Sequence, residues 1–218
     1  MRYGLVVLAA GCTAFLSFSL LAVAIGTDYW YIIDVNKPNC SGPDDMSSHS
    51  GLWRINEGAN MSSVIPSFTA NMSSLSEAEK HLLGLHKVVV IMLPLSLVLL
   101  VFGWIFGLVS SLACSPNLLA GSASYFLFCI GRPNLPNRIC TLSGVCIYIK
   151  YSNLAMEEFQ RMVSPENLAH VNVSFGWSLA TAWLSYSLEV ATGLLLLLAA
   201  RITQMKGRFD SGVAIAML

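Results

Sequence analysis

Four histidines, at positions 49, 81, 86 and 170, are the side chains best suited to proton transfer or metal ligation near neutral pH. Their spacing does not organise them. His81 and His86 are five apart, so they miss the i, i+4 register by which a helix aims two imidazoles at one ion. The six cysteines, at 12, 40, 114, 129, 140 and 146, form no C-x-x-C. Neither H-E-x-x-H, nor G-x-S-x-G, nor a phosphate-cradling glycine loop occurs. The expectation is a protein that is not an enzyme, with no cofactor and no metal. One carboxyl stands apart. Glu189 lies inside an apolar run, where an ionisable group is costly and functional by default. It could pair with an inserted arginine, hold helices together by a buried hydrogen bond, dock a partner's helix, or couple transport. No second acid aligns with it, which favours the first use. Glycan chemistry is offered by Asn-x-Ser at Asn39, Asn60, Asn71 and Asn172. The terminal Ala216-Met217-Leu218 has the apolar character that a strand-adding PDZ groove takes.

The elements carrying these residues are set by composition. Of 218 residues, 55% are hydrophobic and 11% charged, against about 25% charged in a soluble domain. Twelve basic and twelve acidic residues cancel, so no net field calls for nucleic acid. The apolar residues gather in runs at 4–26, 88–113 and 177–200. About 20 helical residues cross a hydrocarbon core of about 30 Å, so each run is a transmembrane helix and the bilayer is the first partner. The first run, with Arg2 before it and Ala22-Val23-Ala24 near its end, also has the outline of a signal peptide. It is longer than the roughly 7–15 residues of a signal core, which favours an uncleaved helix.

Residues 118–149 form a damaged third span. Its two apolar parts are separated by RPNLPNR, residues 132–138. Each arginine there costs about 2.5–3.5 kcal/mol on insertion scales, and both prolines remove backbone donors. The stretch reads as an insertion into a third helix. That helix could leave the membrane, fold as a re-entrant hairpin, or fail as a span.

Arg2 precedes the first run, and Arg201, Lys206 and Arg208 follow the last. With four spans, the positive-inside rule puts both termini in the cytoplasm. All four sequons then fall outside, in loops 27–87 and 150–176, with 201–218 as a cytoplasmic tail. Asn172 is the sequon closest to the membrane and the least suited to use.

Certain residues carry a resemblance. They are Gly26-Thr27-Asp28-Tyr29-Trp30 after the first run, Ser50-Gly51-Leu52-Trp53-Arg54 in the first loop, and Ser174-Phe175-Gly176-Trp177-Ser178 before the last run. The chain resembles the superfamily of claudins, peripheral myelin protein 22 and the calcium-channel gamma subunits. Within it, the likeness is closest to the subgroup of transmembrane proteins 235 and 114, through residues 47–54, Leu93-Pro94-Leu95-Ser96-Leu97 and Phe175-Gly176-Trp177. The resemblance implies a four-helix transmembrane bundle, its third helix interrupted here, with a small extracellular antiparallel β-sheet. It implies that Trp30, Gly51, Leu52 and Trp53 tuck the sheet onto the bundle. Leu52 and Trp53 would be the anchors, and Trp30 the ring at the membrane interface. The other reading of these residues is a surface patch for a partner.

The family also places two bridged cysteines after Gly-Leu-Trp. The matching places here appear as Asn56 and Met61, and the loop's one cysteine, Cys40, lies upstream of the motif. The sheet should therefore be less constrained. Cys40 would be a free thiol or a link to another chain. The other cysteines are expected to be buried as small apolar residues, with palmitoylation of Cys114 as an alternative. Gly103 and Gly107, continued by Ser111, put small residues on one face of the second helix, for packing within the chain or against a lateral partner. Pro94 should kink that helix.

The expected function is that of a multi-pass plasma-membrane glycoprotein acting through other membrane proteins. It would be an accessory or organising subunit of a channel or receptor, or act in cell–cell contact, where the partner is on the opposing cell. A homo-oligomer is possible. The alternative is a transporter of small solutes or ions using Glu189, with an intramembrane enzyme a distant third.

Overall fold

The computed structural model describes residues 2–35, 48–57, 61–65, 76–128, 140–162 and 171–216. Asn39, Asn60, Asn71, Cys40, Cys129, His170 and the RPNLPNR stretch lie outside the described residues. Among the described residues, five helices and five strands follow in the order α1 (Arg2–Gly26), β1 (Tyr31–Val35), β2 (Ser48–Ser50), β3 (Arg54–Glu57), β4 (Met61–Val64), α2 (Glu77–Leu112), α3 (Pro116–Phe128), α4 (Cys140–Met162), β5 (Val171–Phe175) and α5 (Trp177–Ala216).

Three described helical stretches are long and apolar enough to cross a membrane: Tyr3–Gly26, Glu77–Leu112 and Trp177–Gly207. Three of the helices outrun their apolar parts. Helix α2 begins before the hydrophobic run because Ser76 and Glu79 form a capping box, the Ser76 amide donating to Glu79 Oε2 at 2.7 Å. Glu77 adds a second acid to the positive end of the helix dipole and an ion pair with Lys80 at 2.8 Å. The helix continues through Pro94. Helix α5 likewise runs on past residue 200 to Ala216. Helix α4 runs past the apolar part of the damaged span, carrying Lys150 at its middle and Glu157 and Glu158 in its second half.

The chain forms two compact units. One comprises residues 1–20, 96–140 and 184–218. Here α1 and α5 are joined by hydroxyls. Ser17 and Ser185 donate to each other's backbone carbonyl, at 2.9 and 2.7 Å. Thr13 and Thr192 meet at 2.9 Å between their hydroxyl oxygens. Gly103 of α2 lies under Tyr125 and Phe126 of α3, where a Cβ would stand 2.7 Å from the Tyr125 ring. Tyr125 also donates its hydroxyl to the Leu99 carbonyl, at 2.8 Å. The corner between α2 and α3 is tight. Cys114 takes a left-handed φ of 47°, the usual helix-terminating conformation, and Pro116 opens α3 at the one position that needs no amide donor.

The other unit comprises residues 21–95 and 141–183. It holds a five-stranded sheet in the order β4-β3-β2-β1-β5, antiparallel throughout. Strand β5 comes from far along the chain and lies against β1, with Tyr31 opposite Phe175 and Val35 opposite Val171. In the same unit α2 and α4 approach closely at Gly144, where a Cβ would come within 2.9 Å of Leu93.

Candidate functional site: the junction of sheet and helices

The last turn of α1 leaves backbone carbonyls without helical partners. Three side chains satisfy them. Thr27 donates its hydroxyl to the Val23 carbonyl at 2.8 Å. The Trp30 indole N–H donates to Ala24 at 2.7 Å, and the Trp53 indole N–H to Ile25 at 3.0 Å. Two tryptophans 23 positions apart thus complete one helix terminus. This is the physical use of the Trp…Gly-Leu-Trp pattern.

The two rings differ in surroundings. Trp30 is 0% exposed and packs on Tyr148 of α4, with ring centroids 4.7 Å apart. Trp53 is 40% exposed. The ring expected at the interface is therefore the enclosed one, and the expected anchor keeps its ring outside while its N–H reaches in. Leu52, at the tip of the turn between β2 and β3, is fully buried. Its backbone hydrogen-bonds His86, which is buried in α2 and lies 5.1 Å from the Tyr151 ring of α4.

Glycine is required at two places. A Cβ on Gly51 would run into Asp28, whose Cα is 2.6 Å away, and one on Gly176 would collide with the Tyr29 carbonyl. Backbone comes this close because it is hydrogen-bonded. The Trp30 amide donates to Ser50, and the Gly176 amide donates to the Trp30 carbonyl. The Ser178 amide, an unpaired donor of the first turn of α5, donates to Tyr29 at 3.2 Å. Thr27 and Ser178 meet at 2.8 Å through their hydroxyls. The segment 27–30 therefore finishes α1, starts α5 and leads into β1.

Outward from it, Tyr29 stacks flat on His49, 4.5 Å between centroids, and lies 6.0 Å from Trp177. Asn56 meets His49 at 3.1 Å across β2 and β3. Asn56 is opposite Ser62, whereas Met61 is opposite Glu57. A one-residue offset puts two positions on opposite faces of an antiparallel pair. Asn56 and Met61 are therefore not bridge partners in this hairpin. Burial raises the Tyr31 hydroxyl pKa above its ordinary value.

Other candidate residues lie elsewhere. Asn172 is exposed on edge strand β5, opposite Asp34 of β1. Glu189 is 7% exposed in α5, between Ser185 and Thr192, whose hydroxyls reach α1, and it too has an interaction partner. Gly107 is buried, with room for a Cβ 3.8 Å from Leu196. Cys12, Cys114 and Cys146 are exposed rather than buried. For Cys12, on the apolar span α1, that is compatible with an apolar character, since lipid tails are as apolar as a protein core; Cys114 lies in the α2–α3 corner and Cys146 on α4. Among the described residues no group of three His, Cys, Asp or Glu side chains could hold a metal ion. Sequence reasoning missed His86, treated only as half of a failed metal pair; its approach to the Gly-Leu-Trp turn is a long-range contact with no local signal.

The chain is similar to voltage-dependent calcium channel gamma subunits. It is 25% identical to the gamma-5 subunit of Mus musculus over 184 residues, covering 81% of this chain and 63% of that protein. It is 27% identical to the gamma-4 subunit of Homo sapiens over 208 residues, 88% of this chain and 60% of that protein. With the gamma-3 subunit of Rattus norvegicus it shares 27% identity over 193 residues, 83% of this chain and 56% of that protein. The chain thus spans about 60% of these relatives' own length. Residues 15–198 match the family described as PMP-22/EMP/MP20/Claudin tight junction, and with most of its length inside that match the protein belongs to this family.

Proposed function

We propose that this protein works as an accessory or organising subunit of a larger channel or receptor in the plasma membrane, through lateral protein contact. One observation carries the reading: segment 27–30 joins the end of α1, the start of α5 and the sheet into one hydrogen-bonded junction. That arrangement suits a rigid platform presented to a partner, and it holds no grouping of side chains for catalysis. Similarity to channel gamma subunits over four-fifths of the chain supports the same role. Its finer kinship we place with the subgroup of transmembrane proteins 235 and 114. The topology that goes with this reading has four crossings, the third drawn from residues 118–149, both termini cytoplasmic, and the sheet outside. Basic residues at 201, 206 and 208 and sequons at 39, 60, 71 and 172 support it.

The test is affinity purification of the tagged chain from a native membrane in mild detergent. An accessory subunit brings down a larger channel or receptor from the same membrane. A cell-contact protein instead concentrates only where two expressing cells meet, and that result would replace the proposal. Tags at both ends, read with and without permeabilisation, check the topology. A C-terminal tag reached from outside removes the four-crossing arrangement.

A further inference from the structure

We propose that Tyr29, Trp53, Phe175 and Trp177 seat the sheet on the bilayer's interfacial layer, the partner being the glycerol-ester and headgroup region of phospholipid. The four rings are 40 to 47% exposed, although the residues beside them in sequence, Trp30, Leu52 and Gly176, are buried. Their positions coincide with the ends of two spans. Tyr29 follows the last residue of α1 by three positions, and Trp53 is bonded to Ile25 in that helix's last turn. Trp177 is the first residue of α5, and Phe175 ends the strand just before it. The hydroxyl pair Thr27–Ser178 and the Ser178–Tyr29 backbone bond bring both span ends together.

The two helices whose ends carry the rings are themselves apolar and long enough to span. Val23 of α1 and Trp183 of α5 are exposed large apolar residues within the apolar helices themselves. At these span ends the exposed residues include Tyr29, Trp53 and Trp177, each with an apolar body and a polar atom. That composition is the one enriched where hydrocarbon meets water. Arg54, next to Trp53 and also exposed, adds a guanidinium suited to a lipid phosphate. A water-facing site would leave four large rings half-exposed with no gain.

The test uses the full chain carrying 5-fluorotryptophan, reconstituted in phosphatidylcholine nanodiscs. Trp53→Phe and Trp177→Phe assign the two fluorine resonances. The expected result is strong broadening of both by phosphatidylcholine with a nitroxide at the fifth acyl carbon, and little broadening by a soluble gadolinium chelate. Broadening by the chelate and not by the lipid would mean that the rings face water, and would overturn the proposal. Protection from both agents would mean a protein cover, such as a second copy, and would overturn it equally. If Trp53→Phe does not fold, the resonance assigned through Trp177→Phe decides by itself. The outcome is independent of whether a channel partner exists.

Discussion

Trp30 and Trp53 do the same chemical task at one helix end and should differ in cost. Trp30→Ala removes a fully enclosed ring and leaves a cavity beside Tyr148, a change of about 3–5 kcal/mol. Trp53→Phe leaves a smaller aromatic ring at a half-exposed position and loses one N–H to Ile25, about 1 kcal/mol. Thermal unfolding of the detergent-solubilised variants should rank them in that order, and the reverse order would remove the capping account. At Asn56 the register makes a sharper statement. Asn56→Cys with Ser62→Cys should form a disulfide and add about 2 kcal/mol to the short hairpin. Asn56→Cys with Met61→Cys should not cross-link, as read on a non-reducing gel. Asn56 does not stand idle in the native chain: its contact with His49 ties β3 to β2.

Helix α5 presents Ser178, Ser185 and Thr192 at seven-residue intervals; Ser185 and Thr192 meet hydroxyls of α1, and Ser178 meets Thr27 just after that helix. A repeat of seven keeps residues on one face of a helix. Inside lipid there is no hydrophobic gain from pressing helices together, so hydrogen bonds and close packing must align them. A double-mutant cycle on Ser17→Ala and Ser185→Ala should give a coupling of about 0.6–1.7 kcal/mol, the range for such bonds in membranes. Zero coupling would mean that packing alone aligns the two helices. Much at this scale was legible. The runs at 4–26, 88–113 and 177–200 lie within α1, α2 and α5 or overlap them almost wholly, because length and apolarity are what a bilayer selects. The overruns were less visible. The cap at Ser76 and Glu79 lies among polar residues that read as loop, and α4 continues as a polar helix where hydropathy is silent. The sharing of Ala24 and Ile25 between two distant indoles has no local trace in the sequence.

For the whole molecule, Glu189 is the remaining ionisable question. Its burial between two hydroxyls engaged with α1 favours a role in packing. Glu189→Gln keeps the size and the hydrogen-bonding capacity, so it should leave partner binding intact and change the amount of folded protein at most about twofold. Loss of a solute flux, with expression unchanged, would instead support transport. The sheet carries a separate consequence, one of timing. Strand β1 is made among the first 35 residues, and its neighbour β5 only after residue 170. Contacts so far apart in sequence are slow to form, and an unpaired strand edge readily recruits another chain. Until residues 171–175 have been made, β1 has one bare edge. During that interval the bare edge is open to pairing with other unfinished copies, and the arrival of β5 ends it.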